Sequence, residues 1–323
     1  MQDKMASRNP VVNAIYSASF YLWFPLFRKL ARWLPIPVLY ALARQTVGRF
    51  FALRPKYSAA IRSNYARILG LPADAPEVAA AAREMVNQHS YHWIDFFYVA
   101  ERGRAAAGRL VSGIDGYEKI LRAEKAGRGV LLGTAHVGNW YIGGLLLADR
   151  GHPIHVVYKP DRFPIVERYR ADLHRRWGVV EIPVGRTYLS GIRVARALAE
   201  GQIVAMQCDR DFDNTGVAAE LFGAPAYFPR GPFTVAMATG AAFLPSFIAR
   251  GEDGRYRVVI EDPLEIAGTG DHEADLRVNA ARFVKILEER IRRSPTQWYC
   301  FYPFWDDPSR RRSGDPTRPA RLR

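Results

Sequence analysis

The chain has 323 residues, and 46 Lys and Arg against 32 Asp and Glu give it a formal charge of +14. At 49% hydrophobic, 12% aromatic and 24% charged, it is too apolar for a disordered chain and too charged for a polytopic membrane protein. Its only cysteines, Cys208 and Cys300, exclude a disulfide framework and a multi-cysteine zinc site, and they fit a reducing compartment.

Residues 11–27, VVNAIYSASFYLWFPLF, carry no charge and lead into Arg28, Lys29 and Arg32 among Leu30, Trp33 and Leu34. A spanning helix needs about 20 predominantly apolar residues, and this run is interrupted by Asn13, Ser17, Ser19 and Pro25, so spanning is marginal. Tyr16, Phe20, Tyr21, Trp23 and Trp33 with flanking bases suit a helix lying in the headgroup layer of an anionic membrane. The competing reading is an ordinary amphipathic helix packed over the main domain. No small-residue cleavage site follows, so a removed leader is not expected. Residues 1–34 are read as a membrane-associating segment, 35–305 as one α/β domain, and 306–323, with six Arg, three Asp and three Pro, as a disordered basic tail.

Helical patterns follow at 38–53, 57–69 and 75–101. From Arg128 the texture changes. GVLLGT, NWYIGGLLLADRG, HVVY, FPIVERYRADLHRRWG, VVEIP, LSGIRVARALAEG and IVAMQC alternate short apolar runs with amphipathic stretches. That alternation predicts an α/β fold with a mainly parallel central sheet flanked by helices, preceded by an all-helical N-terminal part that includes the membrane-directed helix. AELF, AFLPSFIA and RYRVVIED read as later strands, some antiparallel, and 273–292 as a closing helix.

Of the 46 basic residues 39 are arginine, whose planar forks suit phosphate oxygens. No basic run interleaved with stacking aromatics and no zinc-finger or helix-turn-helix pattern is present, so nucleic acid is not the expected partner. A phosphate-bearing lipid surface is. The chain lacks Gly-x-Ser-x-Gly, a phosphate loop, Gly-x-Gly-x-x-Gly after a strand, and His-Glu-x-x-His. His89, His92 and Asp95 fall at i, i+3 and i+6 of a predicted helix, a spacing open to a metal site or, among Tyr91, Trp93, Phe96 and Phe97, to packing histidines. His152 and His155 are read as packing residues, and His174 and His272 as surface residues.

His136 differs because it follows the apolar run GVLLGTA and precedes Gly138 and Asn139 at a helix start. It therefore lies at the carboxyl end of a strand, where open α/β sheets place ligands. There a neutral imidazole can take a proton from a hydroxyl while helix-start N–H groups face an oxyanion. A capping or core histidine is the alternative.

The stretch GTAHVGNWY resembles the first signature of the lysophospholipid acyltransferase superfamily, in its lipid A late acyltransferase branch. VVYKPDRFPIVERYR is similar to the second block. MQCDRDFDNTGVAAELFGAPAYFPRGPFTVAMATGAAFLPSFIAR is similar to the third and fourth, and SPTQWYCFYPFW to the closing Pro-x-Gln-Trp block. The blocks cover 35–305 in family order.

The resemblance implies a membrane-associated enzyme, on the cytoplasmic face of an inner membrane. It would move a fatty acyl chain from a carrier-protein or coenzyme A thioester to a hydroxyl of an anionic lipid or glycolipid, with no metal or redox cofactor. It assigns His136 as general base and expects a carboxylate five positions later, where this chain has Tyr141. A neutral Tyr can accept a hydrogen bond from the imidazole but offers no compensating charge. Asp209 or Asp211 could instead approach His136 from a neighbouring loop, and otherwise the chain is a silent relative that binds lipid or carrier protein, or it transfers a non-fatty acyl group. Asn139, Lys159, Asp209, Arg210 and Arg230 are the candidate substrate-binding residues, Asn139 also being a candidate helix cap and Lys159 a candidate oxyanion partner. Phe96, Phe97 and Leu145 to Leu147 are the candidate lining of an acyl slot. The oligomeric state is not legible.

Overall fold

A computed structural model describes residues 21, 24–52, 55–161, 163–185 and 189–306. Most of the segment expected to meet the membrane (1–20, 22 and 23) and nearly all of the expected tail (307–323) lie outside the described residues. A helical stretch over 24–33 (α1) leads into α2 (Ile36–Ala52), α3 (Pro55–Leu69) and the long α4 (Pro76–Arg102). These match the helical patterns of the sequence to within two residues. No helix among the described residues is long and apolar enough to cross a membrane.

The α/β part begins earlier than the alternation suggests, with α5 (Arg104–Leu110), β1 (Val111–Asp115) and α6 (Tyr117–Lys125). It continues through β2 (Val130–Thr134), α7 (Trp140–Asp149), β3 (Ile154–Tyr158), α8 (Pro164–Trp177), β4 (Val180–Pro183), α9 (Leu189–Ala199) and β5 (Ile203–Gln207). After the hairpin β6 (Val217–Leu221) and β7 (Ala224–Phe228) come α10 (Gly231–Thr239), β8 (Ala242–Arg250), β9 (Tyr256–Ile260) and α11 (His272–Arg293). Seven strands form one sheet in the order β1-β9-β8-β2-β5-β3-β4, and every pairing is parallel except β8 with β9. The mainly parallel sheet is therefore as expected, while β1 escaped the sequence reading because VSGID has too few apolar residues to stand out.

β2 lies at the centre, buried on both faces, which is why it reads as a continuous apolar run rather than an alternating one. Side-chain alternation divides the core. Val130 and Leu132 face helices α4 to α8, whereas Leu131 and Ala135 face α9, α10 and α11. On that second face α11 buries Leu276, Phe283, Val284, Leu287 and Ile291, at roughly 2 kcal/mol for each large apolar side chain removed from water.

The N-terminal helices are tied to the sheet by a buried acid. Asp95 of α4 accepts from the hydroxyls of Tyr40 on α2 and Tyr256 on β9, the latter at 2.6 Å. Burial raises its carboxyl to about 6, against the pull of those hydrogen bonds and of Arg250. Asp95 is thus engaged with two tyrosines and His92 Nδ1 with the Gly138 carbonyl, and no group of three His, Cys, Asp or Glu side chains able to hold a metal occurs among the described residues.

Candidate active site

The site is assembled where β2 and β5 end. Thr134 pairs with Gln207 in parallel register, so His136 and Asp209, two residues further on each strand direction, come side by side. His136 Nδ1 lies 2.7 Å from Asp209 Oδ1. The other oxygen, Oδ2, accepts the backbone N–H of His136 at 3.1 Å and the indole N–H of Trp298 at 3.1 Å. Burial alone would push this carboxyl up, but His136, Arg210 and those hydrogen bonds hold it well below the usual carboxylate range. The imidazole is lowered to about 4 by burial and then by the Arg210 charge, against the opposing pull of Asp209. The ring is therefore neutral at pH 7, with its proton on Nδ1 toward Asp209 and Nε2 left as the basic nitrogen.

The backbone around the ring is clamped on two sides. Gly138 has φ +59°, and a Cβ there would fall 1.7 Å from the Ile248 carbonyl oxygen, so only glycine fits this turn. Its carbonyl accepts from His92 Nδ1 at 3.0 Å, and its N–H donates to Gln297 O at 2.9 Å. Tyr299 N donates to His136 O at 2.9 Å, and Val137 bridges Trp298. Asn139 is fully buried, caps α7 by accepting Ile142 N–H, and donates to His92 O at 3.1 Å. Burial lowers His92 to about 3, so it too stays neutral. The closing block is thus part of the site wall. Trp298 and Gln297 were missed as functional residues, although the aromatic density of QWYCFYPFW is a signal that this block is buried.

His136 opens on a cavity of about 280 Å³, near the lower end of the range for small-ligand pockets. It lies between α7 and the sheet face carrying Leu132, Ile154, Val156, Ala205, Ile248, Val258 and Ile260. Leu145, Leu147 and the bare glycines Gly143 and Gly144 of α7 face it, with Trp93 of α4. Phe96 and Phe97 do not line it as expected. They turn into the core, with Phe97 5.1 Å from the Phe24 ring and Phe96 4.7 Å from Tyr141.

The other sequence-derived residues divide. Lys159 and Arg210 line the cavity beside His136. Lys159 Nζ lies 5.0 Å over the Phe212 ring, and Arg210 donates to Tyr299 O while its Nε, 4.0 Å from Asp209 Oδ2, has no hydrogen-bond partner. Asp209 cannot contact substrate, being completely buried under the imidazole. Asp211 accepts the Gly216 N–H at 2.9 Å, and the carboxylate bonded to the ring is that of Asp209. Arg230 is ion-paired with Glu273 and lies outside the residues that line the cavity.

Tyr141 also departs from expectation. The imidazole hydrogen bond considered for it goes to Asp209, while Tyr141 lines the cavity against Phe96 and Trp93. Burial raises its phenol to about 12, opposed by Arg170, so it is neutral. Arg170 is held bidentate by Glu167 and singly by Glu181, both at 2.8 Å. His174, expected at the surface, is buried against Glu181 at 2.7 Å because it lies on the sheet-facing side of α8.

A sequence model of the bacterial lipid A biosynthesis acyltransferases matches residues 12–306. The chain is similar to the phosphatidylinositol mannoside acyltransferase of Mycobacterium tuberculosis, with 28% identity over 270 residues covering 81% of each chain. It shares 26% over 260 residues with the enzyme of that name from Mycolicibacterium smegmatis, covering 80% of this chain and 83% of that one. The lipid A biosynthesis palmitoleoyltransferase of Escherichia coli is 27% identical over 188 residues, covering 57% and 58%. With a neutral imidazole on a buried carboxylate at the mouth of an apolar slot, the chain belongs to the bacterial lipid A biosynthesis acyltransferase family and is an acyltransferase of the lipid A or glycolipid type.

Proposed function

We propose that this acyltransferase moves a fatty acyl chain from a carrier-protein or coenzyme A thioester to a hydroxyl of a membrane glycolipid, with His136 as general base and Asp209 as its orienting carboxylate. The observation that carries this reading is the His136–Asp209 hydrogen bond at the opening of the apolar slot. The acyl chain lies in the slot with its thioester carbonyl at His136. As the acceptor oxygen attacks that carbon, its proton passes to Nε2 and the new O–C bond forms. Collapse of the tetrahedral intermediate breaks the C–S bond, and the imidazolium returns the proton to the departing thiolate. Asp209 stabilises the transient imidazolium and holds the proton on Nδ1 beforehand.

The N–H groups of Trp140 and Tyr141, first in α7, have no partner within the helix, and the helix start is favourable to negative charge. Together with Lys159 they stabilise the oxyanion, and Arg210 binds donor or acceptor phosphate. Tyr141 acts as wall rather than as proton carrier.

The membrane reading rests on α1 and α2. Leu26, Phe27 and Trp33 on α1, and Val38 and Leu42 on α2, are exposed beside Lys29 and Arg32, while Phe24, Ala31, Leu39 and Ala43 face inward. Apolar side chains outside and basic residues among them suit peripheral attachment to anionic lipid on the cytoplasmic side. The test is transfer to mixed glycolipid vesicles by the full chain supplied with acyl thioester. Acylated product is expected from the wild type and none from His136→Ala, and undiminished turnover by that variant refutes the mechanism.

A further inference from the structure

The floor of the slot is not uniformly apolar. Thr134 on β2, Gln207 on β5 and Ser246 on β8 form one polar row across three adjacent strands. Thr134 pairs with Gln207, and Gly133 pairs with Pro245, which sets Ser246 beside Thr134. Leu132, Ala205 and Leu244, two residues earlier on each strand, belong to the core on the cavity side, so alternation turns all three polar residues toward the cavity they line. The row lies one layer below His136 and Asp209, about 7 Å along the strands. Gln207 Nε2 is buried with no hydrogen-bond partner.

A saturated hydrocarbon chain passing this row would leave the Gln207 amide unpaired and bury the hydroxyls of Thr134 and Ser246 against methylene groups. A chain carrying a hydroxyl would accept from Gln207 Nε2 and donate to a neighbouring hydroxyl oxygen. A sheet floor of Val, Ile and Leu would be cheaper to build, so the polar row answers to a polar feature of the ligand. Its closeness to the imidazole restricts that feature to the first carbons beyond the carbonyl. We infer that the row Ser246, Thr134 and Gln207 selects acyl donors with an oxygen substituent near the thioester, and that the preferred donor is a β-hydroxyacyl thioester. This rests on the acyl-transfer reading of His136.

The test compares a β-hydroxyacyl-CoA with the plain acyl-CoA of the same length, as kcat/KM with the full chain and as equilibrium binding by calorimetry. Wild type is expected to favour the hydroxylated chain by on the order of tenfold or more, since a site built to bond a hydroxyl discriminates against its absence. Gln207→Leu, which removes an unpaired amide and conserves much of its volume, is expected to bring the ratio close to unity by loss on the hydroxylated chain alone. Thr134→Val is expected to give a smaller loss in the same direction. No preference in wild type, in binding as in turnover, overturns the inference. So does an equal loss on both chains in Gln207→Leu, which would assign the row to the thioester carbonyl. Selective, Gln207-dependent binding of the hydroxylated chain without any turnover would uphold the polar subsite while refuting the acyl-transfer reading.

Discussion

Asp209→Asn isolates the proton placement on which the proposed chemistry depends. Oδ2 accepts two N–H groups, from His136 and Trp298, whereas Oδ1 meets only His136 Nδ1. The amide of Asn therefore places its single oxygen where the two donors converge and turns its NH2 toward Nδ1. That ring nitrogen must then become an acceptor, which moves the imidazole proton to Nε2 and leaves no basic atom facing the hydroxyl. The same inversion in a serine-protease triad lowers kcat by about ten-thousand-fold, and a loss of about 10³ to 10⁴, or roughly 4–5.5 kcal/mol of barrier, is expected here. Every N–H keeps a partner, but the ionised carboxylate that offsets the buried Arg210 cation is lost, so a destabilisation of about 1–3 kcal/mol is expected. Asp209→Ala leaves three N–H groups and the Arg210 cation without their acceptor and should destabilise by about 3–5 kcal/mol. Single-turnover transfer from acyl thioester, with urea melts of the same samples, separates the two effects. An Asp209→Asn enzyme within tenfold of wild type would refute the role of Asp209.

The pH profile of kcat/KM follows from the same pair: with His136 lowered to about 4, activity should stay flat down to about pH 5 and fall with a midpoint near 4, and a midpoint near 6.5 would refute the neutral buried ring. Stability should fall as pH drops below about 6.5. The unfolded chain then takes a proton on each of His89, His92 and His136, which the fold keeps neutral until far lower pH, down to about 4 for His136 and about 3 for His92. Each such proton contributes about 1.4 kcal/mol per pH unit, and Asp95, raised to about 6, opposes with one proton bound in the folded state between pH 6 and its ordinary range. Urea melts at pH 7 and pH 5 test this, and equal or greater stability at pH 5 would refute it. Trp33→Ser combined with Leu42→Ser removes two exposed apolar side chains, 74% and 48% accessible, at about 2 kcal/mol each if they insert. Binding to anionic liposomes should weaken at least tenfold with turnover on detergent-dispersed lipid unchanged, and unaltered partitioning would refute membrane contact by this face.

Local patterns carried most of the architecture. GVLLGT as a buried central strand, the 3.6-residue periods of α2, α3, α4 and α11, and His136 at a strand end are all encoded within a few neighbouring residues. The resemblance across 35–305 carried the family. What proximity in the chain hides is the partner of the imidazole. The sequence offers Tyr141 at the fifth position after His136 and Asp209 or Asp211 from a neighbouring loop, and the carboxylate that meets the ring is that of Asp209, 73 residues away. β2 and β5 are neighbours in space although α7, β3, α8, β4 and α9 intervene in the chain. Parallel strands require crossover connections, so residues that share a register are separated by whole helices and strands. The same holds for Trp298, which reaches Asp209 from beyond α11, for His174, whose burial depends on which face of α8 meets the sheet, and for Phe96 and Phe97, drawn from the slot into a core of rings from α1 and α8. The sequence alone determined which strand ends carry the reactive side chains. Only strand order and register, set by packing across the sheet, decided which of those side chains touch.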